Sequence, residues 1–207
     1  MSILKVECKG VTPLLMHSSK CVNPLHPLSR NSKVYTSKRN KTDEDYEILS
    51  NFGWFMGAYY TNDNIETPWD DVKIDGSEHI LYIPAEAIEK TLINGAKKNK
   101  MGTAVEKYAR LLAPTVPLQV LGGPDFRAMS TSFEYRDVRP MTVQRQKVIR
   151  TRPRFNNWGV EFELHYDEDQ IQVDVLVNAI DYAGKYVGLL DSRPKYGQFT
   201  AKITQVA

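Results

Sequence analysis

Cysteine and histidine are scarce in this chain, at two and four of 207 residues. Cys8 and Cys21 form no C-x-x-C pair, which excludes a disulfide framework and fits a reducing, cytosolic compartment. His17 and Cys21 are four residues apart, yet no second pair at ligand spacing follows, so no metal is expected. Asp70, Asp71 and Asp75 sit in a turn-rich segment with Gly76 and read as solvated acids. No apolar run reaches the roughly 20 residues of a membrane-spanning helix, so no membrane association is expected. The opening Met-Ser-Ile-Leu-Lys-Val-Glu-Cys has no long apolar core before a small-residue cleavage site, and reads as a strand. A global charge bias is also missing: 27 Lys and Arg stand against 25 Asp and Glu, a formal +2.

Acid is locally absent, and that absence is informative. Between Arg136 and Arg154 lie Arg136, Arg139, Arg145, Lys147, Arg150, Arg152 and Arg154, with Asp137 the single acid. Guanidinium groups are permanent charges whose planar fork matches phosphate oxygens. Crowded together they repel one another, and a polyanion relieves the repulsion. Residues 18–41 carry Lys20, Arg30, Lys33, Lys38, Arg39 and Lys41 with no acid. Pro24, Pro27 and several Asn and Ser residues argue for a long basic loop over 18–42. Long loops in compact domains tend to be functional.

The remaining pattern is mixed. Residues 2–10 alternate as a strand, and Asp43 to Tyr60 reads as a helix capped by Thr42, with three acids in its first turn. Ile80 to Ile83 is a short strand, and Pro84 opens a helix from Ala85 to Lys98. Thr103 to Leu112 adds a helical turn or two, and Pro114 to Pro124 is an irregular crossing. Thr131 to Tyr135, Thr142 to Thr151 and Gly159 to Tyr166 favour strands, the last two joined as a hairpin through residues 152–158. A helix from about Val173 and a last strand from Gln198 to Gln205 close the chain. The order predicts one elaborated α+β domain over 1–207: a ferredoxin-like, RRM-like split βαβ core with large loop insertions. The open sheet face of such a core is a common platform for single strands.

Four segments carry a resemblance. They are Thr12-Pro-Leu-Leu-Met-His17, Tyr82-Ile-Pro-Ala-Glu-Ala-Ile88, Arg150-Thr-Arg-Pro-Arg-Phe155 with Trp158, and Ala183-Gly-Lys-Tyr-Val-Gly188 followed by Asp191-Ser-Arg-Pro-Lys-Tyr-Gly-Gln-Phe199. In this order they resemble a family of small phage and prophage proteins. That family is similar to the RAMP superfamily, the RRM-like backbone subunits of CRISPR effector complexes. The resemblance implies a protein that coats single-stranded RNA or DNA in the bacterial host cytosol, as a homo-oligomer, with thumb-like insertions at 18–42 and 60–78.

The expected function is sequence-tolerant binding of single-stranded nucleic acid, without catalysis and without a cofactor. Arg145, Lys147, Arg150, Arg152 and Arg154 are the expected phosphate contacts, with Lys33, Lys38 and Arg39 from the basic loop and Arg193 and Lys195 from the C-terminal loop. Phe155 and Trp158 are the candidates for base stacking. One alternative is a non-catalytic protein that mimics or contacts CRISPR backbone subunits. Another is a metal-independent endoribonuclease using His17 or His26 as general acid or base, since imidazole titrates near neutrality.

Overall fold

The computed structural model describes residues 1–69, 79–143 and 146–206, and for Cys21, 141–143 and 146–148 the backbone alone. In chain order the elements are β1 (Ser2–Gly10), β2 (Leu14–Leu15), α1 (Pro27–Thr36), α2 (Asp43–Gly57), β3 (Tyr82–Pro84), α3 (Ala85–Ala96), α4 (Gly102–Tyr108), β4 (Ala109–Arg110), β5 (Thr115–Val120), α5 (Phe126–Thr131), β6 (Arg136–Val143), β7 (Gln146–Phe155), β8 (Trp158–Tyr166), α6 (Val173–Tyr182) and β9 (Phe199–Val206). The chain is mixed α/β with antiparallel sheets. It divides into two compact units where one elaborated domain was expected.

The first unit comprises Met1–Leu14, Tyr82–Gly122 and Phe155–Ala207. Its sheet runs β3-β5-β8-β1-β9, with β4 also paired to β8. Period-two patterning sets the register. Leu4, Val6 and Cys8 of β1 lie opposite Leu164, Phe162 and Val160 of β8, and all six are buried. The alternate positions, Lys5, Glu7, Glu161 and Glu163, form the opposite face, where Lys5 Nζ meets Glu161 Oε1 at 2.6 Å. α3 and α6 pack on each other through buried faces that include Ile88, Leu92, Leu176 and Ile180. Gly95 allows their approach, since a Cβ there would sit 2.3 Å from the Ala179 carbonyl oxygen. β5 occupies the stretch expected to be an irregular crossing. Its Val116 and Leu118 point inward, and Pro117 pairs with Tyr82 of the short outer strand β3.

The second unit comprises Leu15–Leu81 and Gly123–Arg154. Its three-stranded sheet has the order β2-β7-β6. β6 and β7 form a hairpin in which Arg139 faces Arg150 and Asp137 faces Arg152. α2 begins at a capping box: Thr42 Oγ1 accepts from Asp45 N–H at 3.2 Å, and Asp45 Oδ2 accepts from Thr42 N–H at 3.0 Å. Gly53 and Gly57 let β7 lie directly on α2, where a Cβ would approach Thr151 Cβ at 3.0 Å and Pro153 Cδ at 2.7 Å. Trp54, Phe55, Tyr60 and Phe126 form an edge-packed aromatic cluster.

Several sequence expectations change. Residues 18–42 are not one long loop: they contain a 3₁₀ turn at Ser19–Val22 and the helix α1, which starts with Pro27 at a position that needs no N–H donor. The helix Asp43–Gly57 belongs to the second unit, and the helix that follows β1 within the first unit is α3. Thr131 ends α5, and the stretch 142–151 holds the end of β6 and the start of β7 instead of one continuous strand. β7 and β8 are neighbours in sequence but lie in different sheets, so the expected hairpin through 152–158 is replaced by β6–β7. Asp70, Asp71, Asp75 and the expected 60–78 insertion beyond Trp69 lie outside the described residues.

Candidate nucleic-acid interface

The hairpin sorts its cations by face. Arg136, Thr151 and Pro153 share the side turned to α2. There the Arg136 guanidinium is buried, donating to Ser50 Oγ at 3.2 Å, to the Ser130 carbonyl at 2.8 Å and to Asn51 Oδ1. Burial pushes its pKa below the usual arginine value. Arg136 is therefore a structural clamp between helix and hairpin. The other face carries Arg139, Arg150, Arg152 and Arg154 around Asp137.

These four are not equivalent. Arg152 is buried, at 6% exposure, opposite the buried Asp137. It is withdrawn from any strand lying on the surface, which corrects its assignment as a phosphate contact. Arg139 donates through Nε and Nη2 to Asp137 Oδ1 at 2.8 and 2.6 Å. Arg150 and Arg154 are half-buried. Arg145 lies outside the described residues, as does the side chain of Lys147.

Both stacking candidates are core residues. Phe155 and Trp158 are each 0% exposed. Trp158 packs against Gly10, where a Cβ would come within 2.2 Å of its Nε1, and its indole N–H donates to the Thr12 carbonyl at 2.9 Å. Neither ring is available to a base without opening the first unit.

In the second unit a cleft of about 450 Å³ runs between the 3₁₀ turn, α1, α2 and β7. Lys33 of α1 and Arg150 of β7 line it, together with His17. No Asp or Glu is among its described lining residues. Lys33 is exposed, as are Arg30 one turn before it and Arg39 beyond the helix. Lys38 is exposed too, but its ammonium is held by Asp45 Oδ1 at 2.5 Å. His26 lies in a different cluster: its Nε2 is 3.1 Å from Asp63 Oδ2, which Lys20 Nζ also approaches at 3.2 Å. Burial pushes the Lys20 pKa down to about 8 despite the attraction of Asp63. Burial of Asp63 works against its charge, but Lys20, Tyr60 and His26 outweigh it and hold the carboxyl below its ordinary value.

In the first unit, Arg193 and Lys195 are exposed on the loop between α6 and β9. Arg193 Nη1 donates to Thr91 Oγ1 of α3 at 3.3 Å. The loop is tightly folded, with Leu190 and Ser192 at φ of 59° and 57° and Gly188 and Gly197 at 77° and 74°.

No family model matches this chain, and no curated protein matches it. Among the described residues, no group of three or more His, Cys, Asp or Glu gathers as metal ligands would. No described helix is long and apolar enough to cross a membrane. The cleft was not legible in the sequence, because His17, Lys33 and Arg150 are brought together only by the tertiary fold.

Proposed function

We propose that the chain is a sequence-tolerant single-stranded nucleic-acid-binding protein, that several copies assemble along the strand, and that its first unit is a ferredoxin-like, RRM-like core. The strand order β9-β1-β8-β5, with α3 following β1 and α6 following β8, supports the split βαβ reading. The exposed sheet face does not favour the usual RRM stacking platform. Its central pair of strands presents Lys5, Glu7, Glu161 and Glu163, and Phe162 points inward.

Binding is assigned instead to the second unit. One observation carries this reading: Lys33 and Arg150, 117 positions apart, line a single cleft whose described walls hold no acid. Exposed Arg30 and Arg39 extend the positive surface along α1 and past its end. Such a surface neutralises phosphates and tolerates any base.

The test is a polarisation titration against single-stranded RNA, single-stranded DNA and duplex DNA, repeated with Lys33→Glu and Arg150→Glu. Loss of single-strand binding in both folded variants supports the assignment, and retained affinity rejects it. His17 in the same cleft gives a second reading a foothold, since an imidazole in a cleft that also holds Lys33 suits metal-independent phosphodiester cleavage. Labelled RNA that stays intact with and without EDTA keeps the binding reading. Cleavage abolished by His17→Ala replaces it with catalysis.

A further inference from the structure

The helix side of the first unit presents an aromatic step to solvent. α6 continues past Tyr182 as a single π-helical turn over Ala183–Val187. Tyr182 and Tyr186, four residues apart, therefore lie on one side of it, with ring centroids 4.7 Å apart and planes 40° apart. Tyr186 is 60% exposed. Lys98 Nζ, from the turn that follows α3, stands 4.6 Å from the centroid of the Tyr182 ring.

A single surface tyrosine is ordinary, and the surroundings distinguish this one. Tyr186 borders a recess of about 470 Å³ shared with Asn94 of α3 and with the loop before β9. Hydrogen bonds hold two cations at its edges. Arg193 Nη1 donates to Thr91 Oγ1 at 3.3 Å, and Lys97 Nζ donates to Asn94 Oδ1 at 2.8 Å. Both acceptors are neutral, so neither offsets the charge it holds. The nearby acids are occupied: Asp191 Oδ2, in the recess, accepts from Ser192 Oγ at 3.4 Å, and Asp181 Oδ2 is held by Lys185 Nζ at 2.8 Å. Past Asn94 the surface continues into a groove between α3 and α4, where Lys90, Lys97 and Lys100 stand with one acid, Glu106. Among the described residues, no ion pair ties Lys97, Lys98 or Lys100.

An open ring among uncompensated cations suits an unpaired nucleotide. The base stacks on the ring, and the cations attract the phosphates that flank it. A duplex keeps the faces of its bases inside the stack and cannot use the ring in this way. We infer that the first unit contributes a base-stacking contact of its own, in which Tyr186 receives an unpaired base and Lys97, Lys98 and Arg193 take the neighbouring phosphates. This contact lies apart from the cleft of the second unit and shares with the strand-binding reading only the nature of the ligand. Stacking on one tyrosine accepts any base, so the contact is sequence-tolerant.

The test uses the full chain and a short single-stranded DNA that carries one 5-iodouracil. After irradiation, the crosslinked peptide is expected to contain Tyr186. In polarisation titrations, Tyr186→Ala is expected to weaken single-strand binding about 5- to 100-fold and to leave the dependence on salt unchanged, because stacking releases no counterions. Tyr186→Phe keeps the ring and is expected to restore the affinity. Lys98→Gln is expected to lower the slope of log affinity against log salt by about 0.7. Unchanged affinity in Tyr186→Ala, equal losses in the Ala and Phe variants, or crosslinks confined to other peptides overturns the contact. If Lys33→Glu still weakens binding in that case, the strand reading survives with its cleft alone. If Tyr186→Ala weakens binding and Lys33→Glu does not, the stacking contact stands and the cleft assignment falls. If no single strand binds at all, both fall.

Discussion

Asp137 accepts two hydrogen bonds from Arg139, at 2.8 and 2.6 Å, on the face of the hairpin that also carries Arg152 directly opposite. The single acid in a run of seven cations is thus spent inside the hairpin. It offsets local repulsion and leaves Arg150 with no acid among its cleft neighbours. Removing it takes away the acceptor of both Arg139 hydrogen bonds and the acid that stands opposite buried Arg152. Asp137→Ala is expected to cost about 3–5 kcal/mol, the scale of breaking a buried ion pair from one side. Arg139→Ala, with its side chain 35% exposed, is expected to cost about 1 kcal/mol or less. Urea denaturation of the two variants checks the ranking, and equal losses would argue against a central role for the aspartate.

Much of the local structure was legible, and the reasons are physical. Thr42 with Asp45 announced the start of α2, and Val173 marked the start of α6. Alternation in β1 and β8 identified the inward residues of both. Alternation, however, says which side chains share a face and not which strand lies alongside. That is why β7 was paired with β8 in the sequence reading and is paired with β6 and β2 in the structure. Aromatic content misled in the same way. Trp158 beside an arginine run looks like a stacking ring, yet Gly10, 148 positions away, creates the slot that buries it. The cleft depends on contacts of this range throughout, so no local pattern announced it.

The glycines of the first unit separate strain from crowding. Gly197 has φ of 74°, and a Cβ there would lie 2.1 Å from the Leu189 carbonyl oxygen. Gly122 has φ of 70° with nothing within 4 Å of a Cβ. Gly122→Ala is expected to cost about 1–2 kcal/mol, the penalty of a left-handed backbone alone. Gly197→Ala adds a clash with backbone and is expected to cost several kcal/mol or to prevent folding. Thermal unfolding of both variants measures the difference, and similar values would show that the loop before β9 yields easily.

Lys20 gives the second unit a pH dependence of known sign. Its ammonium is buried over the Tyr60 ring, 3.6 Å from the centroid, and titrates near 8 in place of 10.5. Below about pH 8 the folded and unfolded chains both hold this proton. Between about 8 and 10.5 the unfolded chain holds it more firmly, so this residue's burial costs less as pH rises. The stability of wild type relative to Lys20→Gln is therefore expected to rise by about 1–2 kcal/mol between pH 7.5 and 9.5. Paired urea titrations at the two pH values test it. A flat difference would mean that Asp63 keeps Lys20 charged throughout.

Arg150 and Arg152 are two residues apart on one strand face, and their burial sets their fates apart. Arg152→Glu places an acid at a buried position facing Asp137, and is expected to unfold the hairpin before binding can be scored. Arg150→Glu alters a half-buried cleft position and is expected to leave the fold intact. For a single strand, each phosphate contact contributes about 0.7 to the slope of log affinity against log salt. Arg150→Ala should lower that slope by about this amount and weaken binding uniformly across base compositions. Lys33→Ala should do the same, since Lys33 is exposed on α1 at the rim of the cleft. The double variant should lose the two contacts together if they grip separate phosphates, and little more than one if they share a single phosphate. An unchanged slope in all three would remove the cleft from the binding surface.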